Sequence, residues 1–270
     1  MLNQLAAWWF EHTRDIVSNH LLEVPDPNVT IGRAANPLPV EVVVRVHHGR
    51  HLDVAVAPVR RRRSHDLRLR LPRRTAEEHD AAGCDRHPHH EGAARRPRRA
   101  DHLRRRGVRR SGGRRAVDEV QAVALALFAR GRAAAERAGL VLADTKYEFG
   151  LAVDTGELLL IDEVHTPDSS RYWVADSYEA RLAAGDEPES LDKELVRRAL
   201  IDLGYDGDGD PPTLPAEVIA AASSRYASAY ERLTGQAFVP GATPIADRIR
   251  RHLAPHLARA AERAGHGDPA

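Results

Sequence analysis

The sequence predicts an α+β fold, and three observations support this prediction. Apolar residues recur at helical spacing between Leu2 and Leu22, and again between residues 118 and 139, where Gly139 ends the run. Residues 140–164 are predicted to be two alternating strands joined by the turn sequence Asp-Thr-Gly, which is typical of a β-hairpin. A further strand is predicted at 38–45, and helices are predicted at 215–234 and 244–265.

The composition excludes several classes of protein. A chain of 270 residues, 42% of them hydrophobic, is long enough for one large domain or two ordinary ones. Cys84 is the single cysteine, which excludes an intramolecular disulfide framework and a multi-thiolate metal site. No apolar run reaches membrane-spanning length, and Met1 is not followed by a signal-peptide pattern. We therefore expect a soluble, cytoplasmic protein without a membrane partner.

The net charge of +1 averages two very different regions. Between Val46 and Val117 there are 21 arginines against eight acidic residues, a balance of +13, so the rest of the chain carries about −12. The same stretch holds nine of the 15 histidines and the only cysteine, but no Lys, Phe, Trp or Tyr. A boundary is therefore predicted at each end of this stretch.

The hairpin holds candidate residues for phosphate and metal binding. Strand alternation places Lys146 and Glu148 on one face. If residues 154–156 form a three-residue turn, Glu148 lies opposite Asp162, and two opposed carboxylates repel each other unless a cation lies between them. Oxygen ligands with few protein donors suit Mg²⁺ beside a phosphate. The alternative is a solvated hairpin face on which Lys146 neutralises the carboxylates.

A turn-rich loop with the sequence TPDSSRYW follows the hairpin and holds Asp168, Ser170 and Arg171. An arginine beside hydroxyl groups can bind a carboxylate or a phosphate through two hydrogen bonds. Many surface loops have the same composition, so composition alone leaves the role of this loop open.

Six segments resemble the SAICAR synthetase family, and they follow one another in the family's order. LADTKYEFG (142–150) is similar to the nucleotide-site signature, IDEVHTPDSSRYW to the next family block, and LPVEVVVR to the start of the other signature. The remaining three are WWFEHTRDIVSNHL, LDKELVRRAL and PAEVIAAASSRYASAYERLTG. The resemblance covers residues 1–45 and 118–236. It implies the family's fold with its ATP-grasp-like nucleotide site, here incomplete.

The resemblance also implies a function. Family members are ATP-dependent ligases of purine biosynthesis that join carboxyaminoimidazole ribonucleotide to L-aspartate through an acyl phosphate. The implied cofactors are ATP and Mg²⁺, and the partners are these small-molecule substrates rather than nucleic acid. Carried over by position, Lys146 contacts ATP phosphate and is catalytic with Arg171, while Glu148 contacts the cofactor and holds Mg²⁺ with Asp162. The implied substrate-binding residues are Arg45, Asp168, Ser170, Arg171 and Lys193.

Residues 46–117 show none of the family segments that follow Arg45. The stretch Leu71–Ala93 can be back-translated so that the frame one base later encodes CPDGLRKNMTLPDATVTPTTKA, which resembles the missing segments. We therefore interpret 46–117 as frameshifted and disordered. The alternative is an arginine-rich nucleic-acid-binding module, but the stretch lacks aromatic residues on which bases could stack.

Three regions are thus predicted along the chain. Residues 1–45 are interpreted as the remnant of an N-terminal sheet domain, 46–117 as the frameshifted stretch, and 118–270 as the ATP- and substrate-binding domain. The family's phosphate-covering hairpin is expected to be missing before Met1. Since positioning of the reactants is worth many orders of magnitude in rate, we expect impaired activity, with an inactive relic of the enzyme as the alternative.

Overall fold

The computed structural model describes residues 1–47, 51–58 and 112–265, and the side chains of 1–46, 52–57 and 117–262. Within these ranges no helix is both long enough and apolar enough to cross a membrane. The elements in chain order are α1 (Leu2–His12), β1 (Leu21–Asp26), β2 (Val29–Gly32), β3 (Ala35–His47), β4 (His51–Pro58), α2 (Gly112–Arg137), β5 (Leu140–Ala152), β6 (Leu158–Ile161), β7 (Ser170–Val174), α3 (Ala175–Ala183), α4 (Glu194–Asp202), α5 (Ala216–Thr234) and α6 (Ile245–Gly265).

An antiparallel five-stranded sheet is the central element of the described residues. Its strand order is β4-β3-β5-β6, and β7 also pairs with β5. The long strand β5 pairs with β3 along one edge and with β6 and then β7 along the other. Strands β1 and β2 form a separate hairpin. Because β5 has partners on both edges, its side chains occupy the middle of the sheet.

One face of the sheet carries the hydrophobic core. Val44 of β3 and Tyr147 of β5 are fully buried on this face, and Phe128 of α2 belongs to the same cluster. Successive residues of a strand point to opposite faces, so burial of Tyr147 leaves Lys146 and its alternate neighbours on the other face. The predicted alternation is confirmed for β5 around Lys146, where it places the polar side chains together, but not for β6, whose residues 159–161 are all buried.

The first helix is shorter than predicted, because α1 ends at His12 rather than near Leu22. The Thr13 hydroxyl donates to the carbonyl of Trp9 at 2.8 Å where the helix stops. Backbone hydrogen bonds then tie the following turn to β6, with Leu160 N donating to Ser18 O at 2.9 Å and His20 N donating to Leu160 O at 3.1 Å. The backbone hydrogen bonds to β6 therefore end the helical region, although the apolar spacing by itself predicts that the helix continues.

The start of the arginine-rich stretch is part of the sheet. Strand β3 continues to His47, and His51–Pro58 forms β4, paired with β3 from Val40↔Pro58 to His47↔His51. Its alternating residues Val54 and Val56 pack against the core. The prediction that 46–117 is disordered throughout does not hold for these residues. Helix α2 likewise begins before residue 118, whereas residues 59–111 lie outside the described residues.

The two predicted tail helices are present as α5 and α6, within about one residue of the predicted limits. Helix α6 is tied to the first hairpin through Arg248, which donates to the two carboxylate oxygens of Asp26 at 2.8 and 3.1 Å. Both side chains are buried, and His252 Nδ1 lies 2.9 Å from the same carboxylate. The hydrogen bonds from the Arg248 guanidinium lower the pKa of Asp26 to about 2.

We expect replacement of Asp26 by Asn to destabilise the protein in a pH-dependent way. The folded pKa is depressed, so the stabilisation is present above the unfolded value near 4 and is lost as the pH falls toward 2. The difference in free energy of unfolding between wild type and variant should therefore shrink from pH 4 to pH 2, as measured by denaturant titration. Asp186→Asn, at an exposed position, is the control. A difference that stays constant over this range would contradict the assignment.

Candidate functional site

The polar face of β5 carries a first cluster, formed by Lys146, Glu148 and Asp162. The Lys146 ammonium group donates to Glu148 Oε1, and its Nζ lies 3.3 Å from Asp162 Oδ2. Burial alone disfavours the charged amine, but the hydrogen bond to Glu148 and the charge of Asp162 outweigh it and raise the pKa of Lys146. The predicted convergence of these three side chains is present, with the lysine between the carboxylates.

The register of the hairpin differs by one residue from the predicted one. Glu148 lies opposite Ile161 instead of Asp162, and the pairing ends at Leu151↔Leu158. The turn is longer than Asp154–Gly156, because Ala152 N donates to Glu157 O and Gly156 N donates to Ala152 O, both at 2.8 Å. Asp162 still reaches Lys146, since it follows β6 in a left-handed conformation with φ 68°, which short polar residues tolerate.

A second cluster crosses the sheet two residues away. Arg45 of β3, Asp144 of β5 and Arg171 of β7 lie opposite one another in register. Arg45 Nε donates to Asp144 Oδ2 at 3.0 Å, and Arg171 Nε lies 3.0 Å from both carboxylate oxygens. Both guanidinium groups are partly exposed, whereas Asp144 is largely buried. Two cations share one anion, so N–H groups remain available for an anionic ligand.

A pocket of about 250 Å³ opens beside this second cluster. Its lining residues come from β3, β5 and β7 and are Arg45, Val46, Ala143, Asp144, Arg171 and Trp173. Sequence reasoning predicted the two arginines but missed Asp144. The signal for it was available, because Asp144 precedes Lys146 by two residues on a predicted strand and must therefore share its face.

The predicted substrate loop is divided between two environments. Ser170 and Arg171 are the first residues of strand β7 and not part of the loop. Ser170 Oγ shares a 2.7 Å hydrogen bond with Thr145 Oγ1, and both side chains are buried on the core side of the sheet. The structure thus separates Ser170 from the polar face. Lys193 Nζ lies 3.5 Å from Asp168 Oδ1, and both side chains of this pair are exposed.

The two clusters are close enough to bind different groups of one ligand, or of two adjacent ligands. Asp144 and Lys146 are two positions apart on β5, which corresponds to about 7 Å along the strand. One cluster combines a lysine with two carboxylates, and the other presents two arginines around one carboxylate. The arrangement can therefore neutralise two anionic groups that lie roughly one strand repeat apart.

The carboxylates of the first cluster also fit a divalent cation. Mg²⁺ is usually bound in proteins through one or two carboxylates, with waters and phosphate oxygens as the other ligands. Glu148 and Asp162 supply such a pair. In the ranges that the structure describes there is no group of three or more His, Cys, Asp or Glu residues able to hold a metal. A pair of carboxylates is the protein donor set that suits Mg²⁺ beside a phosphate.

The chain is similar to known proteins over most of its length. The model of the SAICAR synthetase family matches residues 1–213. The chain belongs to the SAICAR synthetase family. A relative in Mesorhizobium japonicum is 42% identical over 259 residues, which span 94% of this chain and 82% of that protein. The phosphoribosylaminoimidazole-succinocarboxamide synthase of Legionella pneumophila is 36% identical over 275 residues, spanning 94% of this chain and 81% of that protein.

Solved structures of SAICAR synthetases have the same fold. A SAICAR synthase from Saccharomyces cerevisiae, solved with SAICAR, matches with a TM-score of 0.58 at 20% identity, over 88% of this chain and 82% of that one. A SAICAR synthetase solved with ADP matches with a TM-score of 0.52 at 19% identity, over 88% and 82% of the two chains. The predicted α+β fold and the predicted family are confirmed. By family the protein is a nucleotide-binding ligase of purine biosynthesis.

Proposed function

We propose that this chain joins the carboxylate of carboxyaminoimidazole ribonucleotide to the amine of L-aspartate at the expense of ATP. The observation that carries the proposal is the placement of both charged clusters on one face of β5. The reaction must bring a triphosphate, a substrate carboxylate and a substrate phosphate together. To bind these anionic groups side by side, the site needs several cationic side chains that are already in position. This face of the sheet supplies them.

The cluster around Lys146 is the site of phosphoryl transfer in this proposal. Lys146 would bind the terminal phosphate of ATP, and Glu148 and Asp162 would hold Mg²⁺, which when bound would neutralise phosphate charge and polarise the phosphorus–oxygen bond. The substrate carboxylate attacks this phosphorus, giving an acyl phosphate and ADP. The aspartate amine then attacks the acyl carbon, so that a carbon–nitrogen bond forms, inorganic phosphate leaves and the amine loses a proton.

The cluster around Asp144 binds the other end of the ribonucleotide. The partly exposed guanidinium groups of Arg45 and Arg171 receive its 5′-phosphate through paired hydrogen bonds. Asp144 accepts hydrogen bonds from both arginines, so the two guanidinium groups are oriented before the phosphate arrives. Anchoring the phosphate there places the rest of the nucleotide toward Lys146, and such positioning lowers the barrier of the subsequent step.

The alternative of a basic nucleic-acid-binding protein rests on the arginine-rich stretch. Residues 59–111 of that stretch lie outside the described residues, and nothing in the described part favours this function. An inactive relic of the enzyme differs from an impaired enzyme only in turnover, so an activity measurement separates them.

We expect SAICAR formation to depend on ATP, Mg²⁺, the ribonucleotide and L-aspartate in a coupled assay that follows ADP release. A second chain in which the interpreted frameshift is reversed should turn over at least about 100-fold faster, because it regains loops that position the reactants. In either chain Glu148→Gln should raise the Mg²⁺ concentration needed for half-maximal rate. Glu157→Gln, which alters an exposed carboxylate paired with Arg33 at 2.8 Å, should leave it unchanged. Absence of SAICAR with both chains would refute the proposed function.

A further inference from the structure

Asp192 extends the charged row of the second cluster. The edge of β7 is continued by residues 189–191, where Leu191 N donates to Tyr172 O and Val174 N donates to Glu189 O, both at 2.9 Å. Trp173 pairs with Ser190 in the same antiparallel arrangement. Continuing this register by two residues places Asp192 opposite Arg171.

The two carboxylate oxygens of Asp192 have different surroundings. Oδ1 accepts the backbone N–H of Glu194, the first residue of α4, at 2.8 Å. Oδ2 has no hydrogen-bond partner among the described residues, although the residue is only 1% exposed. Burial raises the pKa of Asp192, against the opposing effects of the Glu194 N–H and the Arg171 charge. An unpaired buried acceptor is costly, so a donor is expected to complete this site.

The position of Asp192 indicates which donor this is. It stands in the row of Arg45, Asp144 and Arg171, and not beside Lys146, where the acyl group reacts. Under the proposed function the phosphate occupies the two arginines, and the sugar, which carries that phosphate, lies nearer to this row than the reacting carboxylate does. Ribose hydroxyls are neutral donors, and a carboxylate fixed through one oxygen is a pre-oriented acceptor for them.

We infer that Asp192 is a specificity-determining residue whose Oδ2 accepts a hydrogen bond from a ribose hydroxyl of the ribonucleotide. This inference rests on the proposed function, since it takes the ligand of Arg171 to be the nucleotide phosphate. When a nucleotide analogue lacks the hydroxyl, the buried acceptor stays without a donor. The cost of this unpaired acceptor strongly disfavours binding of the analogue. The site should therefore favour ribonucleotides over the corresponding deoxyribonucleotides.

The test compares the binding of carboxyaminoimidazole ribonucleotide with that of its 2′-deoxy and 3′-deoxy analogues by calorimetry. We expect the wild-type Kd to rise at least about tenfold for one of the two analogues. In Asp192→Asn, which keeps the Oδ1 acceptor for α4, the Kd of the parent nucleotide should rise by a similar factor and the discrimination should largely vanish. Asp206→Asn is the matched control, because Asp206 Oδ1 accepts the N–H of Asp208 at 3.2 Å in an exposed turn.

The outcomes are distinguishable. Equal wild-type affinity for all three nucleotides would overturn the inference while leaving the proposed function intact. Asp192→Asn weakening all three equally would show that the residue only supports Arg171, and would also overturn the inference. If neither the wild-type chain nor the chain with the frameshift reversed binds the ribonucleotide or makes SAICAR, the proposed function is refuted, and the inference with it.

Discussion

Replacing Lys146 with methionine should lower kcat/KM for SAICAR formation by roughly a thousandfold or more. The ammonium group is partly buried between Glu148 and Asp162, at the point where the terminal phosphate of ATP is proposed to react. Methionine preserves most of the side-chain volume but removes the positive charge. The phosphate charge would then be opposed by two carboxylates, and Mg²⁺ alone would have to neutralise it.

The measurement is the steady-state rate in the coupled assay, with thermal unfolding as a check that the variant is folded. Arg33→Met is the control, because Arg33 also pairs with two carboxylates, those of Asp154 and Glu157, but at the tip of the hairpin. Exposed ion pairs contribute about 1 kcal/mol at most, so this variant should keep nearly full activity. A loss of less than tenfold for Lys146→Met would show that the lysine is a structural neutralising group, as the solvated-face interpretation holds.

Replacing Gly131 with alanine should be strongly destabilising, by about 3 kcal/mol. A Cβ at this position of α2 would lie 2.4 Å from His165 Cε1 and 2.6 Å from His165 Nε2. The ring has little freedom to move, because it is buried and its Nε2 lies 3.1 Å from Tyr147 Oη and 3.2 Å from Leu127 O. The His165 backbone is held as well, with φ 50° and its carbonyl bonded to Tyr172 Oη at 2.7 Å.

Unfolding in denaturant measures this effect, and Gly139→Ala provides the comparison. Gly139 ends the α2 region with φ 66° and has nothing within 4 Å of an added Cβ, so alanine there costs only backbone strain of about 1–2 kcal/mol. His165 follows Asp162 in the same loop, so a folded Gly131→Ala protein should also show a higher Mg²⁺ requirement. A loss for Gly131→Ala no larger than that for Gly139→Ala would contradict the close packing of glycine against the histidine ring.

Local sequence patterns were sufficient to predict the type of several helices and strands. The runs that form α2, α5 and α6 have apolar residues at helical spacing, and β5 alternates between buried and partly exposed residues around Lys146, so the types of these elements were predictable from the sequence. The face shared by Lys146 and Glu148 followed from the same alternation. The end of α1 was not predictable in this way, because hydrogen bonds to Leu160, far along the chain, decide where residues 18–20 lie.

The sequence by itself determined the family and the α+β class, and it predicted which residues bind phosphate and Mg²⁺. Only the tertiary structure decided how these residues meet. The left-handed backbone at Asp162 restores a contact that the one-residue change in register would have removed. Pairing of β3, β5 and β7 aligns Arg45, Asp144 and Arg171, and it turns Ser170 toward the core. The apolar period and the composition depend on residues that are close together in the sequence. The register of the strands and the row of charged side chains depend on hydrogen bonds between strands that are far apart in the chain, and no local pattern specifies these.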